Sequence, residues 1–133
     1  MSRKVFLSVV ACVALVVGSF ALIGPGAFLQ GAKGALPSAA AEVMMREVGI
    51  LLVSVGILGW LVRAQPDSPT LKSVLWANAL LQVGIFPIEI VAYLRGVFPV
   101  LSGILPNSVF HVVAAAGFMY FASKCRADLP REA

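Results

Sequence analysis

The sequence predicts an all-α fold: one transmembrane domain over residues 1–133, a bundle of four membrane-spanning helices with both termini in the cytoplasm. Three observations lead there. Sixty per cent of the residues are hydrophobic and 12% are charged, against roughly 25% charged in ordinary soluble domains. A water-soluble chain of this size has too much surface to leave so little of it charged. Four separate windows also reach the length of about 20 apolar residues that a helix needs to cross a hydrocarbon core. Finally, seven of the ten cations stand at segment ends.

The first span is Lys4 to Ile23, with no charge after Lys4. Arg3 and Lys4 leading an apolar stretch resemble a signal peptide, with Ser19-Phe20-Ala21 as its cleavage site, but the apolar run exceeds the usual length of about 7–15 residues. It is read as a retained helix. Gly24-Pro25-Gly26 stops it, and a long loop from Gly24 to about Glu42 follows. Pro37-Ser38 marks the restart, with Ser38 as N-cap. The second span covers Val43 to Val62, ahead of Arg63. Gln65-Pro66-Asp67-Ser68-Pro69 is a polar turn into the third span, Ser73 to Leu94.

The fourth span covers Gly103 to Ala122 and is interrupted at Pro106-Asn107. Asn107 is expected to cap a helix over Ser108–Ala122, which at about 22 Å is too short to cross alone. Val97 to Leu105 then dips into the outer leaflet, tolerable only where protein or a wet cavity covers its backbone. Small residues suit close helix contact: Ala14 and Gly18, then Gly49, Gly56 and Gly59, then Ala114 to Gly117. Trp60, Trp76 and Tyr120 lie toward inner ends, where aromatic belts form.

Orientation follows from the Lys and Arg count. Arg3, Lys4, Arg63, Lys72, Lys124, Arg126 and Arg131 fall on one side, Lys33, Arg46 and Arg95 on the other. The first set is the cytoplasmic one. Such placement is a topology signal and not a phosphate-tracking groove, which argues against nucleic acid as a partner. Cys12 and Cys125 form no C-x-x-C pair, which argues against a disulfide framework, a zinc site or thiol exchange. Cys12 is expected as a packed thiol and Cys125 as an exposed one.

Ionisable groups at membrane depth are costly and mark candidate sites. Arg46 and Glu47 lie a turn inside the second span. Asn78, Gln82, Glu89 and Tyr93 form a polar stripe along one face of the third, and Pro87 frees the Val83 carbonyl and kinks the helix near Glu89. His111 is the only histidine. By depth, Arg46, Glu47, Glu89, Tyr93, Asn107 and His111 gather in the outer half, with Gln82 reaching toward them. The expectation is one buried polar cluster opening outward. It reads either as a ligand or proton-transfer site, or as a clasp in which Arg46 and a carboxylate neutralise each other. One His with scattered carboxylates and no nearby Cys argues against a metal site or haem, and no cofactor motif is present.

The segment Arg46-Glu47-Val48-Gly49-Ile50-Leu51-Leu52, continuing through Gly56-Ile57-Leu58-Gly59-Trp60, resembles small bacterial four-helix membrane proteins of the DoxX-like group. The resemblance spans most of the chain loosely and carries over no catalytic residue. It implies a location in the bacterial inner membrane, and a role like that of group members described as small subunits or companions of membrane oxidoreductases.

The reading is therefore a non-catalytic inner-membrane subunit or a lipophile-binding membrane protein. The alternatives are a purely structural subunit and a small membrane-embedded enzyme acting on a lipid-soluble substrate, with Glu89 or Glu47 as acid or base, His111 as partner and Arg46 as anion stabiliser. The partners expected are the lipid bilayer, a lipophilic small molecule, and a membrane protein or second copy of the chain.

Overall fold

The computed structural model describes residues 1–126, so Arg131 lies outside the described part. In chain order the elements are α1 (Arg3–Ile23), α2 (Pro25–Lys33), α3 (Ala39–Val62), α4 (Pro69–Leu94), a 3-10 turn (Leu101–Gly103) and α5 (Leu105–Lys124). The described residues contain no strand. Four helical segments are long and apolar enough to cross a membrane, with mean hydropathies of 2.7, 1.8, 1.7 and 1.4 in chain order.

The apolar windows locate these helices, and the caps lengthen two of them. Ser38 caps α3 as expected, its hydroxyl accepting from the Ala41 N–H at 3.2 Å. Ser68 does the same for α4 through Leu71 at 3.1 Å. Both helices therefore start four residues before their apolar windows, because a cap satisfies backbone donors in polar surroundings where a hydropathy window is blind. α4 remains helical through Pro87.

Two connections differ from expectation. The Gly24–Glu42 loop contains α2, opened by Pro25 and closed by Gly34, whose φ of 65° is the left-handed conformation that glycine accepts. The N–H groups of Gly34 and Ala35 bond back to the carbonyls of Gln30 and Leu29. Nine residues fall well short of a spanning window, which is why a hydropathy search passes over them. Secondly, α5 is not broken at Pro106-Asn107. It starts at Leu105, with Pro106 in the first turn, where a missing N–H costs nothing. Ile104 holds the cap position, and Asn107 spends its side chain elsewhere.

The segment before α5 is covered only in part: Gly103 and Ile104 are buried, whereas Val97 and Pro99 to Ser102 are exposed, and α2 supplies the cover at Gly103. Gly103 is buried so closely beneath the end of α2 that a Cβ there would stand 2.7 Å from the Lys33 carbonyl oxygen.

Packing divides between a glycine seam and an aromatic core. α1 meets α3 through Gly18, Gly49 and Gly56, where a Cβ on any of the three would lie under 3 Å from the facing helix. α1 meets α4 and α5 through Phe6, Leu7, Leu75, Ala79 and Phe118. The Phe6 and Phe118 rings stand edge to face at 5.0 Å, and Gly117 leaves room for Phe6. The expected roles of the thiols are reversed. Cys12 faces outward from α1, whereas Cys125 is buried where the chain folds in beneath the α3–α4 turn, its Sγ 3.8 Å from the Ser68 carbonyl.

A latch closes that end of the bundle. Arg3 forms an ion pair with Asp67 and donates to the Gln65 carbonyl at 2.7 Å. The Arg126 N–H donates to the second Asp67 oxygen at 3.0 Å. The hydrogen bond from Arg3 is the main reason the Asp67 carboxyl titrates below the ordinary carboxylate range.

Candidate functional site

The polar cluster forms at the opposite end, from three helices. Gln82 and Glu89 stand two turns apart on α4, which places them on one face. Asn107, Ser108 and His111 belong to the first turns of α5. Lys33 is the last residue of α2. All of these except the half-buried Asn107 are buried. The opposite face of α4 is exposed at Leu81 and Val91, as its polar stripe predicts.

Glu89 is the centre. Its Oε1 accepts from Lys33 Nζ and, at 2.7 Å, from Asn107 Nδ2; its Oε2 accepts from Ser108 Oγ at 3.0 Å. The Lys33 and Glu89 side chains are only 10% and 6% exposed. The pair is thus removed from solvent, where an isolated charge would be very costly. The Phe98 ring lies 5.3 Å from the Lys33 ammonium, close enough for a cation–π contribution.

His111 continues the network. Its Nε2 lies 2.8 Å from Asn107 Nδ2 and its Nδ1 lies 2.5 Å from Gln82 Oε1. An amide nitrogen only donates and an amide oxygen only accepts. The hydrogen therefore sits on Nδ1, Nε2 keeps its lone pair, and the imidazole is neutral. The two hydrogens of Asn107 are divided between Glu89 and His111, which makes Asn107 the bridge between the two ionisable groups. Among the described residues, Arg3 Nε is the only buried side-chain nitrogen or oxygen without a hydrogen-bond partner. The buried atoms of the cluster are all satisfied.

Of the residues expected at the site, Gln82, Glu89, Asn107 and His111 come together. Arg46 and Glu47 do not. Both are exposed on α3, and Arg46 donates to the Leu22 carbonyl at 3.2 Å. The glycine seam brings the start of α3 beside the end of α1, where a cation meets unpaired carbonyls. The clasp expected between Arg46 and a carboxylate is thus replaced by Lys33 on Glu89. Tyr93 is half-buried one turn beyond Glu89, outside the network. Asn78 turns back to its own helix, donating to the Val74 carbonyl at 2.9 Å.

Lys33 and Ser108 are the residues that sequence reasoning missed. Lys33 was legible as the end of a segment opened by proline and closed by glycine, carrying a cation that Glu89 requires. Ser108 carried no comparable signal.

Beside the cluster, an open groove of about 370 Å³ runs between α4 and α5, lined by apolar surface of Phe86, Ile90, Ile104, Leu105 and Val112. Ser108 stands in its wall. The fold and cluster define a class: a small all-helical protein with four helices able to span a membrane and a buried ion-pair network at one end. No protein-family model, curated protein or solved structure matches the chain.

Proposed function

We propose that this chain is a multi-pass protein of the bacterial inner membrane that holds a lipophile without transforming it. The position of Ser108 carries the reading: its hydroxyl donates to Glu89 while the residue lines the apolar groove. The groove surface itself is apolar, which suits a hydrocarbon chain, and Ser108 sets the polar cluster directly behind its wall. The non-catalytic part rests on enclosure: Glu89 is buried and does not line the groove. An acid or base needs an oxygen within reach of the substrate, and both Glu89 oxygens face protein donors.

The orientation with both termini in the cytoplasm belongs to the same proposal. It is supported by six cations at the latch end, Arg3, Lys4, Arg63, Lys72, Lys124 and Arg126, against Lys33, Arg46 and Arg95 at the other. The DoxX-like resemblance adds the role of a companion subunit within that membrane.

The test is mass spectrometry of what copurifies in mild detergent with the wild type and with Val112→Trp, which fills the groove. The wild type is expected to retain an enriched apolar molecule, and the variant to lose it at unchanged thermal stability. A lipid complement identical in both, and equal to that of the bulk membrane, would refute the lipophile reading. A copurifying polypeptide with an empty groove would favour the structural-subunit alternative.

A further inference from the structure

The Glu89 carboxylate is positioned without help from its cation. It is carried by α4, and two of its three hydrogen-bond donors, Asn107 and Ser108, come from α5. Phe98, from the segment joining those helices, faces the ammonium. The hairpin of α4 and α5 therefore holds the parts of a receptor for a primary ammonium, an oriented carboxylate and an aromatic ring, with an apolar groove on the far side of Ser108. Only the ammonium arrives from elsewhere, on the last residue of a nine-residue helix.

We propose that Glu89 is a binding site for an aliphatic primary amine, occupied by Lys33 as a tethered substitute. A ligand that displaces Lys33 places its ammonium on Glu89 and its hydrocarbon chain in the groove past Ser108. This rests on the lipophile reading and adds the headgroup chemistry to it. A quaternary ammonium cannot donate to Glu89 Oε1 as Lys33 does, so the site discriminates by hydrogen bonding as well as by charge. Alcohols lack the charge and do not qualify.

The test is chemical rescue. Lys33→Met removes the tethered ammonium and leaves the carboxylate, lowering the melting temperature in detergent. Hexylamine is expected to restore about 5 °C of the loss, ethylamine less because it leaves the groove unfilled, and hexanol or tetramethylammonium nothing. In the double variant Lys33→Met/Glu89→Gln the response to hexylamine should vanish. Should Lys33→Met not yield folded protein, Lys33→Gln keeps a donor for Glu89 and is read in the same way.

Nanodiscs distinguish the sources of the amine. Stabilisation of the variant by phosphatidylethanolamine over phosphatidylcholine identifies a bilayer lipid, and rescue by hexylamine alone identifies a free amine. Equal responses to amine and alcohol, or an amine response that survives loss of Glu89, would overturn the proposal. If Val112→Trp releases a lipophile while Lys33→Met ignores every amine, the groove reading stands and the ammonium site falls.

Discussion

Lys33→Met is expected to lower stability by about 3–5 kcal/mol, the cost of leaving one partner of a buried ion pair uncompensated. The side chains involved are almost fully covered, so solvent cannot take over from the lost ammonium. Replacing both partners, as Lys33→Met/Glu89→Met, should recover much of that loss, because desolvation of both charges disappears together. Arg46→Met is the control. Its guanidinium serves the end of α1 and not Glu89, so it should cost under about 1 kcal/mol, and its effect should add to that of Glu89→Gln. Thermal melts in one detergent across the variants give the double-mutant cycle directly. A non-additive Arg46–Glu89 pair, or a silent Lys33→Met, would contradict the assigned pairing.

The other large effect is expected at the glycine seam. A Cβ at position 49 would sit 2.6 Å from the Leu22 backbone nitrogen and 2.9 Å from the Gly18 carbonyl oxygen. Backbone atoms cannot rotate away, so Gly49→Val must push α1 and α3 apart. Overpacking typically costs about 1–3 kcal/mol, and the upper end applies because the contact is main chain to main chain. Gly84 is the matched comparison, a helical glycine with nothing within 4 Å of its would-be Cβ. Gly84→Ala should be neutral or stabilising by about 0.5–1 kcal/mol. Equal melting temperatures for the two variants would contradict the seam.

Both experiments act on features that were unequally legible in the sequence. The four long helices were readable because each presents about 20 largely apolar residues, the length a membrane crossing takes, and Ser38 was readable as a cap. Gln82 and Glu89 were readable as neighbours because a spacing of seven returns to the same helical face. Lys33 was assigned to an outer loop because charge was weighed as a topology signal, and α2 is too short for a span to reveal it. The same weighing put Arg46 at the cluster. Depth along a helix says how far a charge lies from an end, but not which neighbour it faces, and that was decided by Gly18, Gly49 and Gly56 drawing α3 against α1. Asn107 resembled a cap because it follows proline. Its amide instead joins Glu89 to His111, a use that depends on α4 being alongside.

The two ion pairs also set an order of assembly during synthesis. Lys33 is made 56 residues before Glu89, and Arg3 precedes Asp67 by 64. Until α4 has emerged, a nascent chain therefore carries Lys33 on α2 without Glu89 to receive it, so that ion pair can close only after the third long helix is in place. Arg126, which completes the latch on Asp67, comes later still. Each tie is completed by α5 or the residues just after it, so a chain released before α5 would have neither tie complete.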